Sequence, residues 1–159
     1  MASEKDDTAE LTARIAVHKG PLPDLGQVIL EREIPSESAL VTPLVVRAVE
    51  LLRTEGLLRQ GEESRIGLCL EEALQNAVKH GNKKDFKKKV RFQLFVGESE
   101  WTVVVTDEGQ GFDPNQVRNP LQADGLWGET GRGLYLMSHY MDRVDYYNGG
   151  STLILAKTI

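Results

Sequence analysis

Hydrophobic and polar residues alternate along several stretches of the chain, and this pattern predicts strands. The segment from Gln27 to Ile34 has the period of two that is typical of a strand, and Pro35 ends it. Turn residues at 97–100 and 148–151 join four later runs into two hairpins. These four runs cover residues 90–96, 101–106, 143–147 and 152–157.

Three other segments have helical spacing, and each is bounded by residues that favour a helix end. The first follows Ser36, a predicted N-terminal cap, and it ends before Gly56. Pro43 lies inside this segment and marks its true first turn, because proline is favoured there. The other two helices are predicted over residues 62–80, where Gly81 stops the helix, and 133–141.

The order of these elements predicts an α+β fold. A mixed, mostly antiparallel sheet with helices on one face forms a two-layer α/β sandwich. Residues 1–25 are predicted to be an N-terminal extension, and residues 26–159 to be one domain. Within the extension, residues 11–17 fit either a short strand or a short helix that docks on the domain. A loop at 107–130 is rich in turn residues, and loops of this length are usually functional lids or disordered.

Composition narrows the classes of protein that remain. The chain has 159 residues, of which 40% are hydrophobic and 27% charged, and its formal net charge is -5. These values are ordinary for one globular domain and give no sign of direct nucleic-acid binding. Cys69 is the single cysteine, which excludes an intrachain disulfide and fits a reducing compartment. No apolar run reaches membrane-spanning length and the charged N-terminus is unlike a signal peptide, so we expect a cytoplasmic protein without membrane contact.

The second predicted helix carries a polar pair on the side opposite its apolar stripe. Glu72 and Asn76 are four residues apart, so both side chains can address one site. A carboxylate can act as a general base, and an amide oxygen suits a hard cation such as Mg²⁺. A solvated helix face is the alternative, because Glu and Asn are common on exposed helices. The apolar stripe itself consists of Ile66, Leu70, Ala73, Leu74 and Ala77.

A second motif, Asp107-Glu108-Gly109-Gln110-Gly111, directly follows a predicted strand. An aspartate at a strand end can accept a hydrogen bond from an exocyclic amine. Gly109 and Gly111 let the backbone turn and approach a flat ligand closely. An ordinary turn is the alternative, since Asp and Gly are turn residues in any case.

A third motif, Gly131-Arg132-Gly133, precedes the third predicted helix. Free N–H groups at a helix start form an anion site, and glycines allow a phosphate to approach. Arg132 would add a charged contact. A flexible hinge is the alternative, and the sequence contains no P-loop motif.

Together the three motifs resemble the N, G1 and G2 boxes of GHKL ATPases, which have the Bergerat-type ATP-binding fold. More narrowly, the chain is similar to the anti-sigma factor serine kinases of bacterial partner-switching systems. The resemblance covers roughly residues 27–157. It rests on Glu72-x-x-x-Asn76-Ala77-x-x-His80-Gly81, Asp107-x-Gly109-x-Gly111-Phe112-Asp113 and Gly131-Arg132-Gly133-Leu134, in that order.

The resemblance implies a role for each matching residue. Asp107 would hold the adenine amino group of ATP, with Gly111 shaping that pocket and Gly109 in the same box. Ser151 stands where the family often has a threonine near adenine. Residues 112–130 would form the ATP lid.

The same resemblance implies how phosphate and metal are held. Asn76 would ligate a Mg²⁺ ion that bridges the phosphates, and Glu72 would activate the attacking hydroxyl. Gly131, Arg132 and Gly133 would contact the phosphates.

The implied function is phosphorylation of a serine in an anti-anti-sigma protein together with binding of a sigma factor. Family members often form homodimers, so a homodimer is possible here. One alternative is a nucleotide-gated binding module that transfers little or no phosphate. A histidine kinase catalytic domain is disfavoured, because we expect no helical hairpin with a phospho-accepting histidine: Gly20-Pro21 follows His18 closely.

Overall fold

The computed structural model describes residues 15–111 and 128–159, with side chains in the second range described from Gly133 onward. Three α-helices in these ranges are α1 (Val41–Thr54), α2 (Glu63–Asn76) and α3 (Gly128–Tyr140). A 3-10 turn, Ser38–Leu40, leads into α1, and a π-helical turn, Ala77–Gly81, extends α2. The strands are β1 (Ile15–Val17), β2 (Gln27–Pro35), β3 (Lys89–Val96), β4 (Glu100–Thr106), β5 (Arg143–Tyr147) and β6 (Thr152–Thr158).

The described strands form one sheet of six in the order β1-β5-β6-β4-β3-β2. Only the β1–β5 pair within this sheet is parallel, and the other four pairs are antiparallel. This arrangement confirms the predicted α+β class with a mixed, mostly antiparallel sheet. The two hairpins are the β3–β4 and β5–β6 pairs, as the turn residues between them predicted.

The main core lies between the helices and one face of the sheet. Alternate residues along β3 and β4 point to this face, and Phe92, Leu94 and Trp101 are fully buried there. Leu70 and Leu74 of α2 pack into the same cluster, as the apolar stripe predicted. Burial of each such side chain stabilises the fold by roughly 1.5–3 kcal/mol, which fixes α2 and β4 relative to one another.

A second, smaller hydrophobic cluster lies on the opposite face of the sheet. It consists of Val104, Tyr147 and Ile154, with Leu25 and Phe95 packed against it. Leu25 belongs to residues 18–26, the segment that connects β1 to β2. His18, at the other end of this segment, stacks on the Tyr147 ring with the ring centroids 4.7 Å apart. The segment therefore contacts the outer face at both of its ends.

Four local features decide or correct the sequence predictions. Residues 15–17 form a strand, so the strand alternative for this part of the extension is the observed one. Ser36 is not a helix cap, because its hydroxyl donates to the carbonyl oxygen of Lys88 at 2.6 Å. Pro43 does lie in the first turn of α1. The helix α3 begins at Gly128 rather than Gly133.

Within the described residues, no helix combines the length and the apolar character needed to cross a lipid bilayer.

Candidate functional site

A pocket opens between the C-terminal end of α2 and the ends of β4, β5 and β6. The space inside it, counting the part open to solvent, is about 640 Å³. Four of the predicted site residues line it together: Asn76, Asp107, Gly111 and Ser151. The other lining residues are Ala73, Ala77, His80, Gly81, Val105, Tyr146, Gly150 and Leu153.

Asp107 is the acidic residue of this pocket and directly follows β4. Its backbone N–H donates to the carbonyl oxygen of Ser151 at 2.9 Å, which ties the strand end to the β5–β6 turn. Its carboxylate accepts the N–H of Gly109 at 2.8 Å. Burial raises the pKa of Asp107 to about 6, although the Gly109 N–H and the charge of Lys88 act in the opposite direction.

The backbone packs tightly around the Asp107 carboxylate. A Cβ atom at Gly81 would clash with this carboxylate, and one at Gly109 would clash with the carbonyl oxygen of Gly81. Gly81 is the last residue of the π-helical turn, so the end of this turn lies directly against Asp107. The two motifs on α2 and after β4 therefore meet in one site.

Gly111 lies against the turn between β5 and β6 in a left-handed conformation, with φ +71°. A Cβ atom there would clash with the carbonyl oxygen of Gly149. We expect Gly111→Ala to lower the free energy of unfolding by about 2–4 kcal/mol, since the clash adds to the left-handed penalty. Gly149→Ala is the control: its φ is +67° but the added Cβ meets open space, so about 1–2 kcal/mol is expected. Equal losses in urea unfolding would contradict the assigned clash.

Asn76 occupies the last residue of α2 and is half-buried in the pocket wall. Its Nδ2 atom is buried and has no hydrogen-bond partner in the described part of the chain. A buried polar atom without a partner costs stability, so such atoms in folded proteins usually await a ligand, water or ion. The amide can present either its oxygen or its nitrogen to a bound group by rotation.

Glu72 lies one helical turn before Asn76, where α2 packs against α3. It is half-buried, and it does not line the pocket that contains Asp107. A Cβ atom at Gly133 would lie 2.6 Å from its Oε2 atom, so the carboxylate faces the backbone of α3. Glu72 is also close enough to add to the rise in the pKa of Cys69, which burial raises to about 12. Cys69 is therefore an inert core thiol.

The third predicted motif lies inside α3 rather than before it. Gly131 and Arg132 are the fourth and fifth residues of this helix, and Gly133 is buried against Glu72. The side chain of Arg132 is outside the described residues. Of the predicted lid, 112–130, residues 112–127 are also outside them, and residues 128–130 belong to α3 instead of a loop. The structure thus brings Gly133 to Glu72 and leaves the phosphate role of this motif a prediction.

Ser151 ends the β5–β6 turn and lines the pocket opposite α2. Its hydroxyl donates to the carbonyl oxygen of Asn148 at 3.0 Å, and its own carbonyl holds the Asp107 N–H. Tyr146 and Leu153, which sequence analysis assigned only to strands, supply apolar surface nearby. Burial raises the pKa of Tyr146, with a smaller contribution from the charge of Asp107.

Ala73 and Ala77 were predicted to face the core, and they also form part of the pocket wall. Their small side chains leave room that a larger residue would fill. An alanine every four residues on a helix is the sequence signal for this space. The sequence patterns gave no indication of a role for Asn82, which lies behind the pocket.

The sequence model of the histidine kinase-like ATPase domain matches residues 34–157. The chain belongs to this family. The match includes α1, α2, both hairpins and every predicted site residue, so it confirms the resemblance to GHKL ATPases. In this family member, Asn76 of the N box and Asp107 and Gly111 of the G1 box line one pocket.

Individual relatives of this ATPase-domain protein are named as protein kinases or as an anti-sigma factor. It is 31% identical to the serine-protein kinase RsbW of Bacillus subtilis (strain 168) over 140 residues, 80% of this chain and 84% of that one. It is 31% identical to the anti-sigma F factor of Clostridium perfringens (strain SM101 / Type A) over 60% of this chain and 72% of that one. The serine/threonine-protein kinase BtrW of Bordetella bronchiseptica is 32% identical over 50% of this chain and 57% of its own length.

Proposed function

We propose that this protein is an ATP-dependent serine-protein kinase that also acts as an anti-sigma factor. The observation that carries the proposal is the single pocket in which Asn76, Asp107, Gly111 and Ser151 converge. The names of its relatives, serine-protein kinase and anti-sigma F factor, support the same activity. Its partners would be an anti-anti-sigma protein, which accepts the phosphate on a serine, and a sigma factor.

Adenine fits the end of the pocket that contains Asp107. The ionised carboxylate is an acceptor for the exocyclic amino group, and Val105, Tyr146 and Leu153 supply an apolar surface for the base. Gly111 and Ser151 border the same end, where the backbone is close enough to contact a flat ring. Guanine carries a carbonyl oxygen at the equivalent position, so the carboxylate would repel it.

The phosphates would then extend from this end toward Asn76 and α3. The amide oxygen of Asn76 is a suitable ligand for Mg²⁺, and Asn76 lines the same pocket as Asp107. Mg²⁺ usually binds to one or two protein oxygens together with substrate phosphates, and it supplies charge neutralisation there. Gly131, Arg132 and Gly133 would contact the phosphates from the N-terminal part of α3.

Glu72 is the proposed general base for the attacking serine hydroxyl. Its carboxylate is one helical turn from Asn76 and faces the backbone of α3 at Gly133. A carboxylate in this position can accept a proton from a hydroxyl that is held beside the phosphates. Location in the cytoplasm and assembly as a homodimer belong to the same proposal.

Calorimetry with ATP, ADP and GTP in the presence of Mg²⁺ tests the proposal first. We expect binding of the two adenine nucleotides and at least tenfold weaker binding of GTP. Absence of binding to the folded protein would contradict the proposed kinase. Binding without any phosphate transfer to a captured protein partner would instead favour a nucleotide-gated binding module.

Replacement of Asn76 by alanine should remove the effect of Mg²⁺ on ATP affinity. In the wild type we expect Mg²⁺ to strengthen ATP binding about tenfold or more over EDTA, since Asn76 would hold the ion and the ion would neutralise the phosphate charge. Asn76→Ala should bind ATP equally in both buffers. Gln75→Ala is the matched control, because Gln75 donates to Ser38 and Glu71 away from the pocket. An unchanged Mg²⁺ effect in Asn76→Ala would exclude this residue as the ligand.

A further inference from the structure

Asn82 follows the π-helical turn directly and is only 1% exposed. It does not line the pocket, so it has no direct contact with a nucleotide bound there. Its backbone N–H donates to the carbonyl oxygen of Ala77 at 2.8 Å and closes the π-helical turn. A fully buried amide must form hydrogen bonds through its side chain, or it would destabilise the fold.

The side-chain amide of Asn82 forms three hydrogen bonds to three different segments. Its Oδ1 atom accepts the backbone N–H of Glu108 at 2.8 Å. Its Nδ2 atom donates to the Ser36 hydroxyl at 2.9 Å and to the Lys89 carbonyl oxygen at 3.0 Å. Only this orientation of the amide satisfies all three partners, because one of them is a donor and Lys89 presents only an acceptor.

Two further hydrogen bonds close the network. The Ser36 hydroxyl donates to the Lys88 carbonyl oxygen at 2.6 Å. The Lys89 N–H donates to the Glu108 carboxylate at 2.9 Å. The network thus joins the residue after β2, the residue after the π-helical turn, the start of β3 and the residue that follows Asp107.

This network fixes both sides of the Asp107 carboxylate. Glu108 is the next residue after Asp107, so a hydrogen bond to its N–H sets the direction of the peptide that carries Asp107. Gly81, which lies against the carboxylate, is the residue directly before Asn82. One side chain therefore holds the distance between the Asp107 loop and the end of α2.

We propose that Asn82 is a positioning residue that sets the affinity and the adenine preference of the pocket by holding Asp107 in place. The inference rests on the proposed nucleotide pocket. Its basis is that a hydrogen bond between a carboxylate and an amino group depends steeply on distance and angle. Loss of the network would leave Asp107 in the pocket, but its carboxylate would no longer be held in one position relative to the adenine amino group.

The test compares Asn82→Ala with the wild type by calorimetry, with MgATP and MgGTP as ligands. We expect Asn82→Ala to bind ATP about tenfold or more weakly and to lose most of the preference for ATP over GTP. Leu52→Ala is the control for lost stability, because Leu52 is fully buried in α1 and does not line the pocket. Both variants are measured at a temperature where circular dichroism shows them to be folded.

The ratio of the two affinities separates positioning from a general loss of stability. A purely structural role would lower the unfolding midpoint of both variants and leave the ATP-to-GTP ratio at the wild-type value, which would overturn the proposal. If Asn82→Ala does not fold, Ser36→Ala is used instead, because it removes one partner of the amide. It should weaken ATP binding severalfold and lower the preference for ATP over GTP. A wild type that binds neither nucleotide would instead refute the proposed pocket itself, and the inference with it.

Discussion

Replacement of Glu72 by glutamine should slow phosphate transfer to the protein substrate by about 100- to 10,000-fold, the usual contribution of a general base. Glutamine has the size of glutamate but does not accept a proton at neutral pH. Because Glu72 lies outside the pocket that contains Asp107, we expect the ATP affinity to stay within about threefold of the wild type. The two measurements therefore respond differently to one substitution.

The measurement uses radiolabelled ATP and a purified antagonist protein from the same organism. This antagonist must be one that the wild-type protein phosphorylates. Glu71→Gln is a control with the same chemistry at the neighbouring position. Glu71 accepts hydrogen bonds from Thr42 at 3.0 Å and from Gln75 at 3.2 Å on the outer side of α2. Near-normal transfer by Glu72→Gln, or an equal loss in Glu71→Gln, would be incompatible with Glu72 as the base.

Replacement of Asp107 by asparagine should weaken ATP binding about 10- to 100-fold, because a charged acceptor for the adenine amino group becomes a neutral one. The same substitution should stabilise the nucleotide-free protein. Burial raises the pKa of Asp107 to about 6 from the usual 3.8, so the ionised carboxylate opposes folding at neutral pH. After allowance for its partial exposure to solvent, we expect a gain of about 1–2 kcal/mol in the free energy of unfolding at pH 7.5.

The pH dependence of this effect has a definite sign. Between pH 3.8 and pH 6 the folded protein binds more protons at Asp107 than the unfolded chain does. The Asp107 contribution to stability therefore improves as the pH falls through 6, and the advantage of Asp107→Asn should disappear by about pH 4. ATP affinity of the wild type should fall over the same range, because a protonated carboxyl is a poorer acceptor.

Urea unfolding of both proteins between pH 4 and pH 7.5, with calorimetry at the same pH values, measures both effects. Asp24→Asn is a suitable control, since Asp24 is an exposed residue of the 18–26 segment and only caps the N–H of Gly26. A stability difference that does not change with pH would show that the Asp107 carboxylate is not destabilised by burial. A substitution that raises stability and lowers ligand affinity is typical of a residue that is retained for binding.

Most of the fold follows from local sequence patterns. The strands at Gln27–Pro35, Lys89–Val96 and Glu100–Thr106 differ by at most one residue at each end from the predicted runs. The alternation is clearest in β3, where Val90, Phe92 and Leu94 are buried under the helices and the residues between them are more exposed. In β4, by contrast, residues 101–105 are all buried. The pair Asn148 and Gly149 has positive φ values of 54° and 67°, as their residue types predicted for the turn.

The failures arise where tertiary contacts override local preference. Serine is a residue type that favours a helix N-terminus. The Ser36 hydroxyl, however, accepts from Asn82 and donates to the Lys88 carbonyl oxygen, and α1 begins only at Val41. The π-helical turn could not be predicted, because apolar spacing does not distinguish one extra residue in the last turn of a helix.

Asn82 was missed for a related reason. In sequence it is one polar residue before a lysine-rich segment, and its three partners come from Ser36, Lys89 and Glu108. Only the packing of the sheet against α2 brings these segments together. The residues of the three motifs could be named from their spacing. Asn82, whose amide accepts the Glu108 N–H beside Asp107, could not.

The segment 18–26 also limits how the gene can change in length. β1 and β2 lie at opposite edges of the sheet, five inter-strand spacings or ~24 Å apart, and an offset along the strands adds to this distance. The chain from Val17 to Gln27 reaches at most ~36 Å when fully extended, so about 12 Å remain for the offset along the strands. Loss of four codons would leave a reach of ~22 Å, which is too short to join the two edges, so β1 would detach from β5, while extra codons would form a loop. Related genes that keep β1 should therefore vary in this segment by insertion rather than by deletion.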